Sequence, residues 1–436
     1  MGRSYVKWKR GLLVKKEMKV GIGFATGRKQ FKQVLKTYIY NWRESELTSS
    51  DKVSLNLFVA YDLNYHNTKP SDYTNINSEL LELVDGICLI GNEKMQAEIS
   101  GLIEQGIINE RQAKLVFGRG YAGKRNIIQY MALKEGIDYL MFLDDDEYPL
   151  AVTNSETAVW GGQQGLRTHL TYIQHADMTN GHHCGYISPI PYLEYNDILQ
   201  ESDFQTFIQA ISNDIVNWDT IKSVMANGGV TYADTRVLVN REVEEVEEVN
   251  HSKFISGSNL CINLTDPNRV NAFYNPPNAR GEDTFLATCL HDRKVLRVPS
   301  YTFHDGFSMY KNLLDGVLPT KLDNIKADCE EVIQRFYKAC IGWIRYKPLW
   351  LYITDRKKYE ERIQEMREQL AATLPKICEY FGRNDFMKIA AELENYHHNV
   401  KKHYNNFIET QQAWENICNA FSSEVPQQLL KIETGA

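Results

Sequence analysis

The chain has 436 residues, 43% of them apolar and 24% charged, with a net charge of −7. This balance is that of a globular protein and excludes a largely disordered chain. The acidic sign argues against nucleic acid as a partner, since such binding needs a basic footprint. The longest apolar runs fall far short of the roughly 20 residues of a membrane-spanning helix. The first 19 residues carry seven Lys or Arg against one Glu. This basic arm, residues 1–18, reads as a solvated tail, or as a segment leaning on an anionic surface such as lipid headgroups or substrate phosphates. It has no apolar stretch of signal-peptide length, so the expectation is a cytoplasmic protein, with peripheral membrane contact through the arm as the sharper alternative. The eight cysteines contain no C-x-x-C pair. They are expected to be reduced and mostly buried.

From Lys19 the pattern becomes α/β. Val20, Ile22 and Phe24 alternate as in a strand and lead to a Thr26-Gly27-Arg28 turn. Phe31, Val34, Leu35 and Tyr38 follow at helical spacing. Segments 54–61, 86–90 and 114–117 are expected to be strands, 93–105 and 125–135 helices. The run Tyr139–Leu143 is continuously apolar, as in a strand buried on both faces. Strands and helices alternating at this spacing predict a doubly wound sheet. Residues 151–250 are polar and irregular, and the acidic run 241–249 reads as a solvated edge. Beyond about Pro319 helical stripes dominate: Leu322, Ile325, Cys329, Val332, Ile333 and Phe336, then Tyr359, Ile363, Met366 and Leu370. The expected organisation is an α/β catalytic region over 19–318 and a helical C-terminal region over 319–436.

Asp144, Asp145 and Asp146, with Glu147 behind them, follow the apolar run directly. Clustered carboxylates at a strand's C-terminal end lie where open α/β sheets bind ligands, and they repel one another unless a cation is present. Hard divalent ions with oxygen ligands suit them; the blander alternative is an acidic helix cap. Upstream, Gly118–Asn126 is glycine-rich and basic and opens a helix, which makes an anion site with Lys124 and Arg125. A second acidic pair, Glu282-Asp283, follows Gly281 and reads either as catalytic carboxylates or as the N-terminal cap of a helix.

Taken in order, Thr26-Gly27-Arg28, Gly123-Lys124-Arg125-Asn126, Asp144-Asp145-Asp146 and Gly281-Glu282-Asp283 resemble the motifs of nucleotide-sugar glycosyltransferases of the GT-A fold, most closely the family 2 group. The resemblance spans about 18–310 and leaves the helical tail outside. It implies a Rossmann-like, doubly wound mixed sheet and a nucleoside-diphosphate sugar donor, with uridine as the base. Thr26, Arg28, Asp62, Lys124, Arg125, Asp144 and Asp145 would bind the donor. Asp146 would hold Mn²⁺ or Mg²⁺ on the diphosphate, with His304 as a further ligand. Asp283 would be the general base and Glu282 would position it. Ser256, Gly257, Ser258 and Asn259 would form the floor under the donor sugar and a glycan or other hydroxyl acceptor. The adjacent His182-His183 is expected to be a loop pair outside the metal site. The aromatic and basic run 341–353 is expected to pack the tail onto the catalytic domain, with a sugar platform or membrane interface as the alternative. Other readings are a retaining transferase, a sugar-phosphate nucleotidyltransferase, for which Gly21-Ile22-Gly23 is a faint version of the phosphate loop, and a binding scaffold without catalysis.

Overall fold

The structure is a computed structural model that describes residues 6–8, 18–64, 66–154, 159–212, 218–310, 313 and 321–422. Nearly all of the basic arm, and the expected boundary near 318, lie outside the described residues. Ten strands form the main sheet: β1 (Val6–Trp8), β2 (Met18–Thr26), β3 (Val53–Tyr61), β4 (Gly86–Ile90), β5 (Tyr139–Leu143), β6 (Glu147–Tyr148), β7 (Met178–Gly185), β8 (Glu244–Glu245), β9 (Leu260–Asn263) and β10 (Val295–His304). Their order is β1-β4-β3-β2-β5-β9-β7-β10-β8, with β6 pairing β10. Strands β4, β3, β2 and β5 are mutually parallel. Strand β9 runs antiparallel between β5 and β7, and β7 is parallel to β10. The protein is thus α/β with a mixed sheet.

Alternation along the strands builds a core on each face. Val20, Ile22 and Phe24 of β2 join Leu55, Leu57 and Val59 of β3 and Met141 and Leu143 of β5. The helix Phe31–Glu44 covers them with Phe31, Val34, Leu35, Tyr38 and Trp42. The other face presents Phe58, Ala60, Leu140 and Phe142 to helices Asn92–Glu104 and Tyr121–Lys134. There β2 offers only Gly21, Gly23 and Ala25. A Cβ on Gly23 would lie 2.8 Å from Ile128 Cγ2, so the bare strand lets the helix Tyr121–Lys134 sit directly on it.

Several expectations change. Segment 114–117 closes the helix Glu110–Val116 and is not a strand. Asn109 and Gln112 form a reciprocal capping box at its start, a local signal that outweighs the short apolar run. The irregular stretch 151–250 contains β7, and His182 and His183 lie within that strand, not in a loop. Leu322, Ile325 and Cys329 precede the helix Glu330–Thr354 instead of starting it. The acidic run does form exposed edge strands, Glu244–Glu245 and Glu248–Val249; charge there blunts edge pairing.

The C-terminal helices Glu330–Thr354, Tyr359–Phe381, Lys388–His398 and Val400–Ser422 form a third core. It also takes Phe204, Phe207 and Ile208 from the helix Glu201–Ile211, and Phe285 from Glu282–Ala287. The run 341–353 lies inside the first of these helices. Trp350 is 1% and Tyr346 4% exposed, so its aromatic rings face protein. Buried Lys347 donates to the Gln209 carbonyl at 2.5 Å. All eight cysteines are free, and six are buried. Among the described residues no helix is long and apolar enough to cross a membrane.

Candidate functional site

Strand β2 leads to β3 on one side of the sheet, whereas β4 leads through helices to β5 on β2's other side. The order therefore reverses between β2 and β5. At such a switch point the connections diverge and leave a crevice beyond the strand ends. Thr26 ends β2, and Asp144, Asp145 and Asp146 follow β5 into that crevice.

The three aspartates have different partners. Asp145 is 2% exposed, accepts from Thr26 Oγ1, and meets Arg28 Nη1 at 2.7 Å. The same Nη1 lies 2.6 Å from Asp146 Oδ2, and His304 Nε2 lies 3.2 Å from that oxygen. Burial pushes the Asp146 carboxyl up, but His304 and Arg28 outweigh it and hold the group well below the usual range. In return, Asp146 lifts the His304 imidazole to about 9, against its burial. Asp144 pairs with Arg125 Nη2 at 3.0 Å. Burial, with the neighbouring acids, raises its carboxyl despite Arg125.

Arg125 is 2% exposed. Its guanidinium lies 5.3 Å from the Phe142 ring and 5.6 Å from that of Phe273. Its Nε lies 3.6 Å from Glu282 Oε1, so one cation stands between the two acidic motifs. Burial, then the charge of Asp283, raises the Glu282 carboxyl. Gly257 makes room for the guanidinium: a Cβ there would lie 3.0 Å from Nη2. Lys124 reaches the other way and meets Asp62, just past β3, at 2.9 Å. This pairing outweighs burial and lowers the Asp62 carboxyl.

Glu282 and Asp283 open the helix Glu282–Ala287. Gly281 before them has φ +94°, a conformation that favours glycine, and Tyr346 of the C-terminal region fills the space where its Cβ would be, at 3.2 Å. Asp283 Oδ2 accepts the Gly257 N–H at 3.2 Å and Oδ1 accepts the Thr284 N–H at 2.8 Å. The expected floor is thereby tied to the expected base. Within it, Asn180 accepts from the Ser256 N–H and donates to the carbonyls of Ser256, Ser258 and Asn259.

Asn259 is fully buried, and its side chain is committed elsewhere. It donates to the His182 and Ser300 carbonyls and accepts from His169 Nε2 at 2.9 Å. With its amide hydrogens so used, His169 carries its proton on Nε2 and accepts the Thr179 hydroxyl at Nδ1. Burial holds the ring down to about 4. The unfolded ring binds a proton below its ordinary value of 6.5 while the folded ring does not, so stability falls as pH drops from 6.5 toward about 4. His169 should contribute roughly 3 kcal/mol of that loss. Denaturation of wild type and His169→Gln across this window checks it; equal slopes would remove His169 as the cause.

The crevice thus gathers Thr26, Arg28, Asp145, Asp146 and His304 in one group and Arg125, Asp144, Glu282 and Asp283 in another. Asp62 and Lys124 pair at β3's end, and Asn259 lies behind the floor. Among the described residues no three His, Cys, Asp or Glu side chains converge as a metal cage. Sequence reasoning gave no role to Asn180, His183, Thr302 or Glu147; Glu147, beside the aspartates, and His183, in a histidine pair, carried a signal, and Asn180 and Thr302 carried none. Set against known proteins, the chain matches no protein-family model and no curated protein sequence.

Proposed function

We propose that this protein is an inverting, divalent-metal-dependent glycosyltransferase of the GT-A kind, moving a sugar from a uridine diphosphate donor to a hydroxyl acceptor. The observation that carries this reading is that two acidic groups from separate elements meet one buried cation: Asp144, beyond β5, at Arg125 Nη2, and Glu282, beside Asp283, at its Nε. Direct displacement needs such a division. In that step the acceptor hydroxyl loses its proton to Asp283, its oxygen bonds the anomeric carbon, and the bond from that carbon to the diphosphate oxygen breaks. Asp62 and Lys124 would meet the nucleoside, and Arg28 the diphosphate.

The Asp146 carboxylate and the His304 imidazole, 3.2 Å apart, would supply an oxygen donor and, once the ion displaces the proton His304 holds against Asp146, a nitrogen donor. Two protein ligands are a fair set for an ion that takes its remaining positions from phosphate and water, so these residues fit Mn²⁺ or Mg²⁺. A bound ion would neutralise the diphosphate as it leaves. Arg28 now bridges Asp145 and Asp146 and would turn outward to the phosphates.

Release of nucleoside diphosphate from a panel of nucleotide sugars, with and without Mn²⁺ or Mg²⁺, tests this. The expected result is metal-dependent turnover of one donor, lost in Asp146→Asn. Absence of both turnover and metal-dependent nucleotide binding would overturn the reading.

A further inference from the structure

Glu147 is a buried carboxylate, 4% exposed, that the transfer step does not use. Strand β6 pairs it directly opposite His304 of β10. Its Oε2 accepts from Ser258 Oγ at 2.8 Å and from Thr302 Oγ1 at 2.7 Å, and its Oε1 faces His183 Nε2 at 3.4 Å. One side chain thus joins the turn before β9 to strands β7 and β10. The Ser258 bond matters most, because the preceding residue, Gly257, gives its N–H to Asp283. Asn180 holds the same turn from its other side through three carbonyls and one N–H.

The geometry points to Glu147 as a positioning residue: through Ser258 it fixes the Gly257 N–H that orients Asp283 toward the acceptor. This rests on the transferase reading. Glu147 needs an acceptor oxygen for this, and its charge is dispensable. Glutamine keeps such an oxygen for the two hydroxyls and turns its amide toward His183. Methionine matches the shape and leaves both hydroxyls unsatisfied.

The test compares Glu147→Gln, Glu147→Met and Ser258→Ala, using UDP-hexose donors and hydrogen exchange of segment 254–260. Glu147→Met and Ser258→Ala should lower kcat about tenfold or more, as misplacement of a reacting group does, with donor KM within about twofold. Glu147→Gln should stay within about twofold of wild type, and Glu147→Met with Ser258→Ala should be no slower than Glu147→Met alone. Exchange of 254–260 should quicken in the two impaired variants. Ser258→Ala turning over at the wild-type rate, or Glu147→Gln as slow as Glu147→Met, overturns the proposal. Unchanged exchange in Ser258→Ala also overturns it, whatever the rates. If exchange responds while wild type shows neither turnover of any donor nor metal-dependent nucleotide binding, the transferase reading falls and the Glu147–Ser258–Gly257 linkage stands.

Discussion

Asp283→Asn is expected to lower sugar transfer by about 10²- to 10⁴-fold, the usual contribution of a general base, while nucleotide-sugar binding stays near that of wild type. The asymmetry follows from where Asp283 sits. Its carboxylate is held by two backbone N–H groups, from Gly257 and Thr284. The groups proposed to bind nucleotide and diphosphate are others, Arg28 and Lys124 with their partners Asp145, Asp146 and Asp62. An asparagine keeps the side chain's size and can accept one of these two N–H bonds through its carbonyl oxygen. It cannot take the acceptor's proton. Initial rates of transfer, paired with a calorimetric titration of donor, separate the two effects. A variant that still transfers at the normal rate would remove Asp283 from the chemistry, and one that loses donor affinity equally would move it to the donor site.

Arg125→Met should cost about 3 kcal/mol of stability at pH 8, and the loss should shrink toward pH 5.5. Arg125 packs against two phenyl rings that also touch each other, with Asp144 and Glu282 at its Nη2 and Nε. Methionine keeps apolar packing against the rings and leaves those carboxylates without their cation. Both then have folded-state affinities for protons above their unfolded ones, so the folded state binds more protons and stability rises as pH falls. In wild type the guanidinium opposes this. Urea denaturation of the two proteins at both pH values measures the difference. A penalty independent of pH would mean that packing on Phe142 and Phe273 carries the cost instead.

The parallel half of the sheet was legible because each strand writes its burial into the sequence. Residues 139–143 are apolar throughout, and β2 and β3 alternate. The antiparallel half was not. Strand β7 reads Met-Thr-Asn-Gly-His-His-Cys-Gly, with neither alternation nor a run of β-branched residues. Its polar side chains are buried because they bond particular partners: Asn180 the floor turn, His183 Glu147, Thr179 His169. Periodicity cannot reveal such partners, since they come from segments 76 residues or more away for Asn180 and 10 for Thr179. The site shows the same division. Asp144, Asp145, Asp146, Glu282 and Asp283 could be picked out as acidic clusters at element ends. The cation that meets both could be named but not placed, because Glu282 and Phe273, against which it packs, are distant in the chain. The burial of Asn259 was equally hidden: a polar residue in a small turn reads as exposed until its partners are known.

The third core also sets a timetable. Phe285, two residues beyond Asp283, lies 6.4 Å from the Tyr346 ring and 6.1 Å from that of Phe407. When the ribosome has made the strands and both acidic motifs, the partners that seat this short helix are still unsynthesised. At roughly 5–20 residues per second, Phe407 follows Phe285 by on the order of 10 s. During that interval the strands around Asp144–Asp146 are complete, while Asp283 lacks the contacts that seat its helix. A nascent chain therefore completes its first acidic group before it can fix the second, and the helical tail closes that stage.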